Sequence, residues 1–257
     1  VLEAPAYLVV GRGRWAALIR EILLKINRHT TILAETRLTS GEPNVAYQKR
    51  LERAMTSSGA AIVWLCVPFG PWILTMATAA MNAGLDVVAE CPWLLPEKDS
   101  ETLSQLQQKA QRVLGVHYEY CLLDQVQGWR QEFGGGESCT FNGIFELARA
   151  GRHALAAELQ LGSHLLAIQR YAVPQATIGQ IRCHYQTEDK RMAWLTKNGV
   201  EVSRMSFANN RQPLIQRYIS IFEKERVARN MTFGLDFARQ IATDAFGLLG
   251  GQGLAKL

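Results

Sequence analysis

The stretch that most constrains this chain runs from Tyr7 to Ile26. A short apolar run, Tyr7-Leu8-Val9-Val10, enters Gly11-Arg12-Gly13-Arg14-Trp15-Ala16, and an amphipathic helical pattern comes after it. Strand, glycine turn and helix in that order predict the first unit of a dinucleotide-binding domain. Gly11 permits a tight turn off the strand, Gly13 lets main chain approach a pyrophosphate, and Ala16 takes the place of a third glycine where helix meets strand. Phosphate charge would then face the free amides and positive dipole end of the helix. The candidate cofactor-binding residues of the turn are Gly11, Gly13, Arg14, Trp15 and Ala16. Glycine pairs after apolar runs also occur in ordinary tight turns, so the reading needs support from the rest of the chain.

The next segments keep the same rhythm. Thr30 to Glu35 reads as a second strand, rich in β-branched residues and ending in an acid 24 positions beyond Gly11. Glu35 can accept from the ribose hydroxyls of NAD and would repel a 2'-phosphate, whereas Arg37 can pair with the 2'-phosphate of NADP, so both cofactors remain open. A helical pattern from Asn44 to Met55 breaks at Thr56-Ser57-Ser58-Gly59, and Ala60 to Cys66 is almost continuously apolar. Apolarity without alternation over so few residues suits a strand buried on both faces of a parallel sheet. Val67-Pro68-Phe69-Gly70-Pro71-Trp72 then leads into a helix from Ile73 to Asn82, a stop at Ala83-Gly84, and a further buried strand, Leu85 to Glu90. Strand, helix and strand joined by short connections imply right-handed crossovers and a doubly wound sheet.

Composition excludes several classes. A chain of 257 residues that is 48% hydrophobic and 20% charged has the profile of a globular protein rather than a disordered one. No apolar run reaches the roughly eighteen residues a bilayer span needs, and the first residues lack the order of a signal peptide, so a cytoplasmic protein without a membrane partner is expected. The five cysteines are odd in number, widely spaced and never in a C-x-x-C pair, which points to reduced thiols and to no metal. The net charge of +5 is scattered among acids instead of gathered in a stripe, so a nucleic-acid partner is not expected.

The block from Ala61 to Leu94 resembles the Gfo/Idh/MocA oxidoreductases, whose members show a buried strand, a Thr-Pro-x-x-x-His turn, a helix and then Ala-Gly-x-x-Val-x-x-Glu-Lys-Pro. Here the turn is Val67-Pro68-Phe69-Gly70-Pro71-Trp72, and the second motif is Ala83-Gly84-Leu85-Asp86-Val87-Val88-Ala89-Glu90-Cys91-Pro92. A helix from Ser100 to Arg112 and a strand from Val116 to Tyr120 then close the nucleotide domain. Beyond it the resemblance is fainter. Gln160-Leu161-Gly162-Ser163-His164 stands where the family has Asp-x-Gly-x-His at the start of a long helix, with a strand after it from Ala176 to Tyr185. Lys197-Asn198-Gly199 marks a hairpin between Met192–Leu195 and Val200–Val202. Segments from Leu214 to Phe222 and on to Ala245 match the two C-terminal helices.

The resemblance implies an α/β fold: an N-terminal Rossmann-type doubly wound parallel sheet at 1–121, and a smaller α+β domain with a mainly antiparallel sheet at 122–257. It further implies NAD or NADP as cofactor, a small-molecule substrate, a homo-oligomer, and contacts to the cofactor from Val67, Pro68, Phe69, Trp72, Glu90 and Pro92. The 137 residues from Cys121 onward are few for the second domain, and the segment Gln125 to Gly151 is expected to be a loop or a remodelled remnant. Trp129, Arg130 and the glycine run would make a lid there.

The chemistry departs from the family. A lysine, an aspartate and a histidine manage the alcohol proton in its members; here the lysine position is Cys91, the aspartate position is Gln160, and only His164 is retained. A thiol has no positive charge and is a weak donor. Cys91 is therefore either a contact to nicotinamide or substrate or a small buried thiol. Tyr118 and Tyr120 would alternate with Glu119 on the strand that leaves the nucleotide domain, where Tyr120 can donate a proton. The candidate catalytic residues are thus His164, Tyr120 and Cys91. Two functions are consistent with this set: hydride transfer to or from a small carbonyl, alcohol or imine with an altered proton-donor set, or a non-catalytic, regulatory relative that keeps the dinucleotide cleft.

Overall fold

A computed structural model describes residues 4–33, 44–67, 72–134, 142–146, 157–174, 181–186, 191–196 and 211–248. The chain divides into two compact units, one of residues 1–117 with 215–239, the other of residues 118–214 with 240–257. These are not the two linear segments 1–121 and 122–257, because the stretch 215–239 groups with the N-terminal half.

The first unit is built on β1 (Tyr7–Val10), β2 (Thr30–Leu33), β3 (Ile62–Leu65), β4 (Asp86–Glu90) and β5 (Leu114–His117), paired parallel in the order β2-β1-β3-β4-β5. Every residue of β1, β3 and β5 is buried, as the unbroken apolar runs of β1 and β3 require of strands covered on both faces. The crossovers contain α1 (Arg14–Lys25), α2 (Asn44–Ser57), α3 (Trp72–Asn82) and α4 (Glu97–Ala110). Ala16, Ile19, Ile22 and Leu23 form the buried stripe of α1 at helical spacing.

Three of these helices stop by the same device. After α1, Asn27 takes φ +58, its amide donates to the Leu24 carbonyl at 3.2 Å, and Arg28 N–H donates to Leu23 at 2.9 Å. Gly84 and Leu85 close α3 in this way, and Gln111 and Arg112 close α4. The paired bonds satisfy carbonyls left over at a helix end and turn the chain back toward the sheet.

The C-terminal helices are α7 (Arg211–Ala228) and α8 (Leu235–Leu248). Within the first unit, Tyr218 and Phe222 of α7 lie on Gly115 of β5. A Cβ there would stand 2.8 Å from Phe222 Cε2 and 2.9 Å from the Tyr218 hydroxyl, so only glycine admits the helix at this distance. Arg226 Nε donates to Asp86 Oδ2 at 2.8 Å, and Val113 N–H donates to Asp86 Oδ1 at 2.9 Å. Glu223 accepts from the Tyr7 hydroxyl at 2.8 Å and from both Nε and Nη2 of Arg28 at 3.0 and 2.9 Å. The open edge of β5 is covered by a short antiparallel bridge, Gly115 to Gly234, with Val116 N–H donating to Phe233 O at 2.8 Å.

The second unit contains α5 (Asp124–Phe133), α6 (Ala157–Ala172), and β6 (Asn142–Glu146), β7 (Ile181–Gln186) and β8 (Arg191–Thr196), which pair antiparallel in the order β6-β8-β7. Helix α6 is buried nearly all round, from Leu159 through Leu165, Leu166, Ala167 and Ile168 to Ala172, which marks it as the unit's core element. Arg130 of α5 donates to the Tyr171 carbonyl at 2.9 Å with its guanidinium 4.3 Å from that ring, and the Tyr171 hydroxyl donates to Gln127 Oε1 at 3.0 Å. Arg170 grips Asp244 with two bonds of 2.7 and 2.9 Å.

Four expectations are corrected. The segment Gln125–Gly151 is not simply a loop: it holds α5 and β6, and Trp129 and Arg130 sit on α5, where Arg130 ties α5 to α6 instead of serving in a lid. The strand expected at Val116–Tyr120 runs from Leu114 to His117, and Glu119 to Leu122 form a 3₁₀ turn, so Tyr118 and Tyr120 do not alternate on a strand. His164 lies in the middle of α6 rather than at a helix start. The partner beside Met192–Leu195 is β7 on one side and β6 on the other, while Lys197-Asn198-Gly199 and Val200–Val202 lie outside the described residues.

Candidate functional site

In the first unit, the parallel strands end together, and several of the residues that the sequence singled out stand at those ends. β1 leads to Gly11, β3 to Cys66 and Val67, β4 ends in Glu90 and leads to Cys91 and Pro92, and β5 ends in His117. Because β2 and β3 flank β1 on opposite sides, chain order reverses there, and the crevice beyond the carboxyl ends of β1 and β3 is where open α/β sheets bind ligands.

Gly11 is required by the fold. Its φ is +150°, and a Cβ would collide with the Cys66 carbonyl oxygen and approach the Cβ atoms of Cys66 and Ala16 at 3.1 and 3.2 Å. Ala16 is 2% exposed at that contact, small enough for helix and strand to meet. Gly13 is different. It sits at the N-cap of α1 with φ −78° and ψ 172°, an extended conformation open to any residue, and a Cβ would find only Trp15 N, 4.0 Å away. The helix has no side-chain cap and no acid in its first turn, and Arg12 and Arg14 are exposed beside it. A diphosphate fits this turn: it would take main-chain amides and the dipole end of α1 with no acid in that turn to oppose it.

Glu90 is held from two sides, by Trp64 Nε1–H at 2.5 Å on Oε1 and by His117 Nδ1 at 3.3 Å from Oε2. Burial first, and then the charge of Glu90, push the Cys66 thiol well above the usual thiol range. Cys91 is half-buried, Pro92 and Val67 are buried, the Cys91–Pro92 peptide is cis, and Trp72 is the first residue of α3. Glu35, Arg37, Pro68 and Phe69 lie outside the described residues.

The second unit brings two of the catalytic candidates together. The rings of Tyr120 and His164 meet edge to face with centroids 5.1 Å apart, and Tyr118 approaches the same imidazole at 6.1 Å. Tyr120 is 4% exposed, and the Arg211 guanidinium lies 5.9 Å from its ring. Glu119, 1% exposed, faces Arg211 at 3.5 Å. Helix α6 presents the imidazole, and the 3₁₀ turn and the residue before it present Tyr120 and Tyr118, so the three rings meet within the second unit. Gln160 is on α6 one turn before His164.

Sequence reasoning did not single out His117 or Arg211 and used Glu119 only as a spacer. His117 sits directly opposite Glu90 in the β4–β5 register, and only the pairing of two strands reveals that. Arg211 is more than 90 positions from Glu119, a pairing with no local signature.

No protein-family model matches the sequence, and no curated protein does. The structure is similar to several solved dehydrogenases. UDP-N-acetylglucosamine 3-dehydrogenase GnnA from Acidithiobacillus ferrooxidans matches with a TM-score of 0.71 at 17% identity, over 96% of this chain and 97% of that one. Scyllo-inositol dehydrogenase from Lactobacillus casei, with bound NAD(H) and scyllo-inositol, matches at 0.68 and 14%, covering 95% of each chain. The WlbA dehydrogenase from Thermus thermophilus, in complex with NAD and UDP-GlcNAcA, matches at 0.66 and 12%, over 94% of this chain and 93% of that one. The likeness therefore spans both units, and the fold of this chain is the one these dehydrogenases share.

Proposed function

We propose that this protein is an NAD(P)-dependent oxidoreductase that moves hydride to or from a small carbonyl, alcohol or imine, with a proton-handling set changed from the one that the family resemblance implies. The observation that carries the reading is Gly13, a glycine in an ordinary extended conformation with open space on its Cβ side, at the uncapped and acid-free start of α1. The fold shared with dehydrogenases, two of them solved with NAD or NAD(H), supports NAD as cofactor. Main chain from Gly11 to Ala16 would hold the diphosphate, with Arg14 and Trp15 beside it. Val67, Pro68, Phe69, Trp72, Glu90 and Pro92 would line the rest of the cofactor's path, and Glu35 or Arg37 would decide between NAD and NADP. The nicotinamide supplies the hydride chemistry. His164 and Tyr120 would handle the proton, since Cys91 and Gln160 replace the lysine and aspartate that the family resemblance leads one to expect.

A thermal-shift panel with NAD, NADP and their reduced forms tests this directly. Ligand at 100 times its dissociation constant stabilises by about 2.7 kcal/mol. No stabilisation by any of the four, together with no change in nicotinamide fluorescence, removes the proposal.

Replacement of two catalytic positions favours a second reading, a dinucleotide-binding regulatory relative without turnover. Turnover that disappears in His164→Ala or Tyr120→Phe while cofactor affinity stays intact excludes it. A homo-oligomer remains part of the proposal and is checked by light scattering.

A further inference from the structure

His117 is fully buried at the carboxyl end of β5, yet it is a polar, titratable ring surrounded by groups from four other elements of the first unit. From β4, Glu90 Oε2 stands 3.3 Å from its Nδ1. From β3, Trp64 meets it edge to face at 5.2 Å and donates its own Nε1–H to the other oxygen of the same carboxylate. From α7, Tyr218 packs at 4.5 Å. From α1, Trp15 stacks at 6.2 Å with the planes 30° apart. One imidazole thus touches the first turn of α1, next to Gly13, and the last residue of β4, next to Cys91.

A packing role alone would be better served by an apolar ring, because burying an imidazole costs free energy unless its polar atoms are used. Glu90 supplies the use: a carboxylate with little solvent access needs donors on both oxygens. Resting on the dinucleotide reading above, we propose that His117 is a positioning residue for that site. Its Nδ1–H fixes the Glu90 carboxylate against Trp64 and so sets the Glu90-Cys91-Pro92 turn, while its ring sets Trp15 at the start of α1. It touches no cofactor atom itself; it holds in register two segments that would.

Three variants separate this role from bulk packing. In His117→Asn the side-chain amide lies near the place of Nδ1 and retains the donor; in His117→Gln the amide reaches instead to about the place of Nε2; in His117→Phe only the ring remains. NADH affinity is read by fluorescence titration, and exchange of the Trp64 indole N–H is read by NMR on the protein without cofactor. We expect His117→Phe and His117→Gln to weaken NADH by about tenfold or more and to speed Trp64 indole exchange by a similar factor, with His117→Asn within about threefold of wild type in both. Equal behaviour of the Asn and Gln variants, or unchanged indole exchange in His117→Phe, overturns the proposal. Wild-type protein that binds no dinucleotide overturns the dinucleotide reading instead, while the indole exchange still decides whether His117 holds Glu90. If His117→Phe does not fold, the contrast between Asn and Gln decides alone.

Discussion

Replacing Gly11 by alanine tests how the turn after β1 is built. The new Cβ meets the carbonyl oxygen of Cys66, a main-chain atom in the neighbouring strand that cannot rotate away, and the φ of +150° is itself unfavourable for any side chain. Strained backbone of this kind costs about 1–3 kcal/mol, and overpacking adds about 1–3 kcal/mol. Relief would require β1 and β3 to separate, which strains the 2.8 Å bond from Cys66 N–H to Val10 O. We therefore expect a loss of about 4 kcal/mol, near the middle of the summed range, and with about 2–4 °C per kcal/mol for a chain of this size, a fall in Tm of about 8–16 °C. Gly13→Ala is the matched control. Its backbone is already extended and its Cβ meets nothing closer than 4.0 Å, so stability should stay within about 0.5 kcal/mol while dinucleotide affinity falls. Thermal melts by circular dichroism on the apo protein, with cofactor titration beside them, read both. A Gly11→Ala variant melting within about 2 °C of wild type, or a Gly13→Ala variant equally destabilised, would refute the reasoning.

Two further predictions concern groups the fold has buried. Arg226→Met leaves the Asp86 carboxylate, 8% exposed at its side chain, with the Val113 amide but without its cation; we expect a loss of about 2–4 kcal/mol, reduced below the fully buried value because Arg226 is itself 20% exposed, and partial recovery in Arg226→Met/Asp86→Asn. Additive effects in that double-mutant cycle by urea unfolding would contradict it. Burial, then the charge and hydrogen bond of Glu223, raise the Tyr7 hydroxyl well above the ordinary tyrosine range, so the folded protein keeps the proton that the unfolded chain releases near pH 10. Stability from this group is complete below about pH 10 and falls as pH rises beyond it. Cys66 and Cys121, both raised chiefly by burial, add to the same fall from about pH 9. Urea midpoints between pH 8 and 11 should decline for wild type and less steeply for Tyr7→Phe; parallel curves would show that Tyr7 is not a source of the decline.

In the sequence, the strands were clearest where apolarity was continuous, as in Tyr7–Val10 and Ile62–Leu65, because burial on both faces leaves that pattern in the residues themselves. Helix ends with left-handed closing residues were visible at Ala83-Gly84 but not at Asn27 or Gln111, where a residue with a Cβ takes the same conformation. The glycine turn after β1 was legible too, since its demands fall on residues a few positions apart.

What the sequence by itself determined is therefore the alternation of strand and helix, the glycine turn, and the identity of the altered positions Cys91 and Gln160. Only the tertiary structure ended β5 at His117, returned 215–239 to the N-terminal unit through the close approach of α7 at Gly115, set His117 opposite Glu90, and joined Tyr120 to His164. The physical reason is one of range. Periodicity and turn chemistry are written in neighbouring residues, whereas a partner for a buried polar group is chosen by strand register and helix packing across dozens of positions, and no local pattern in the chain encodes that choice.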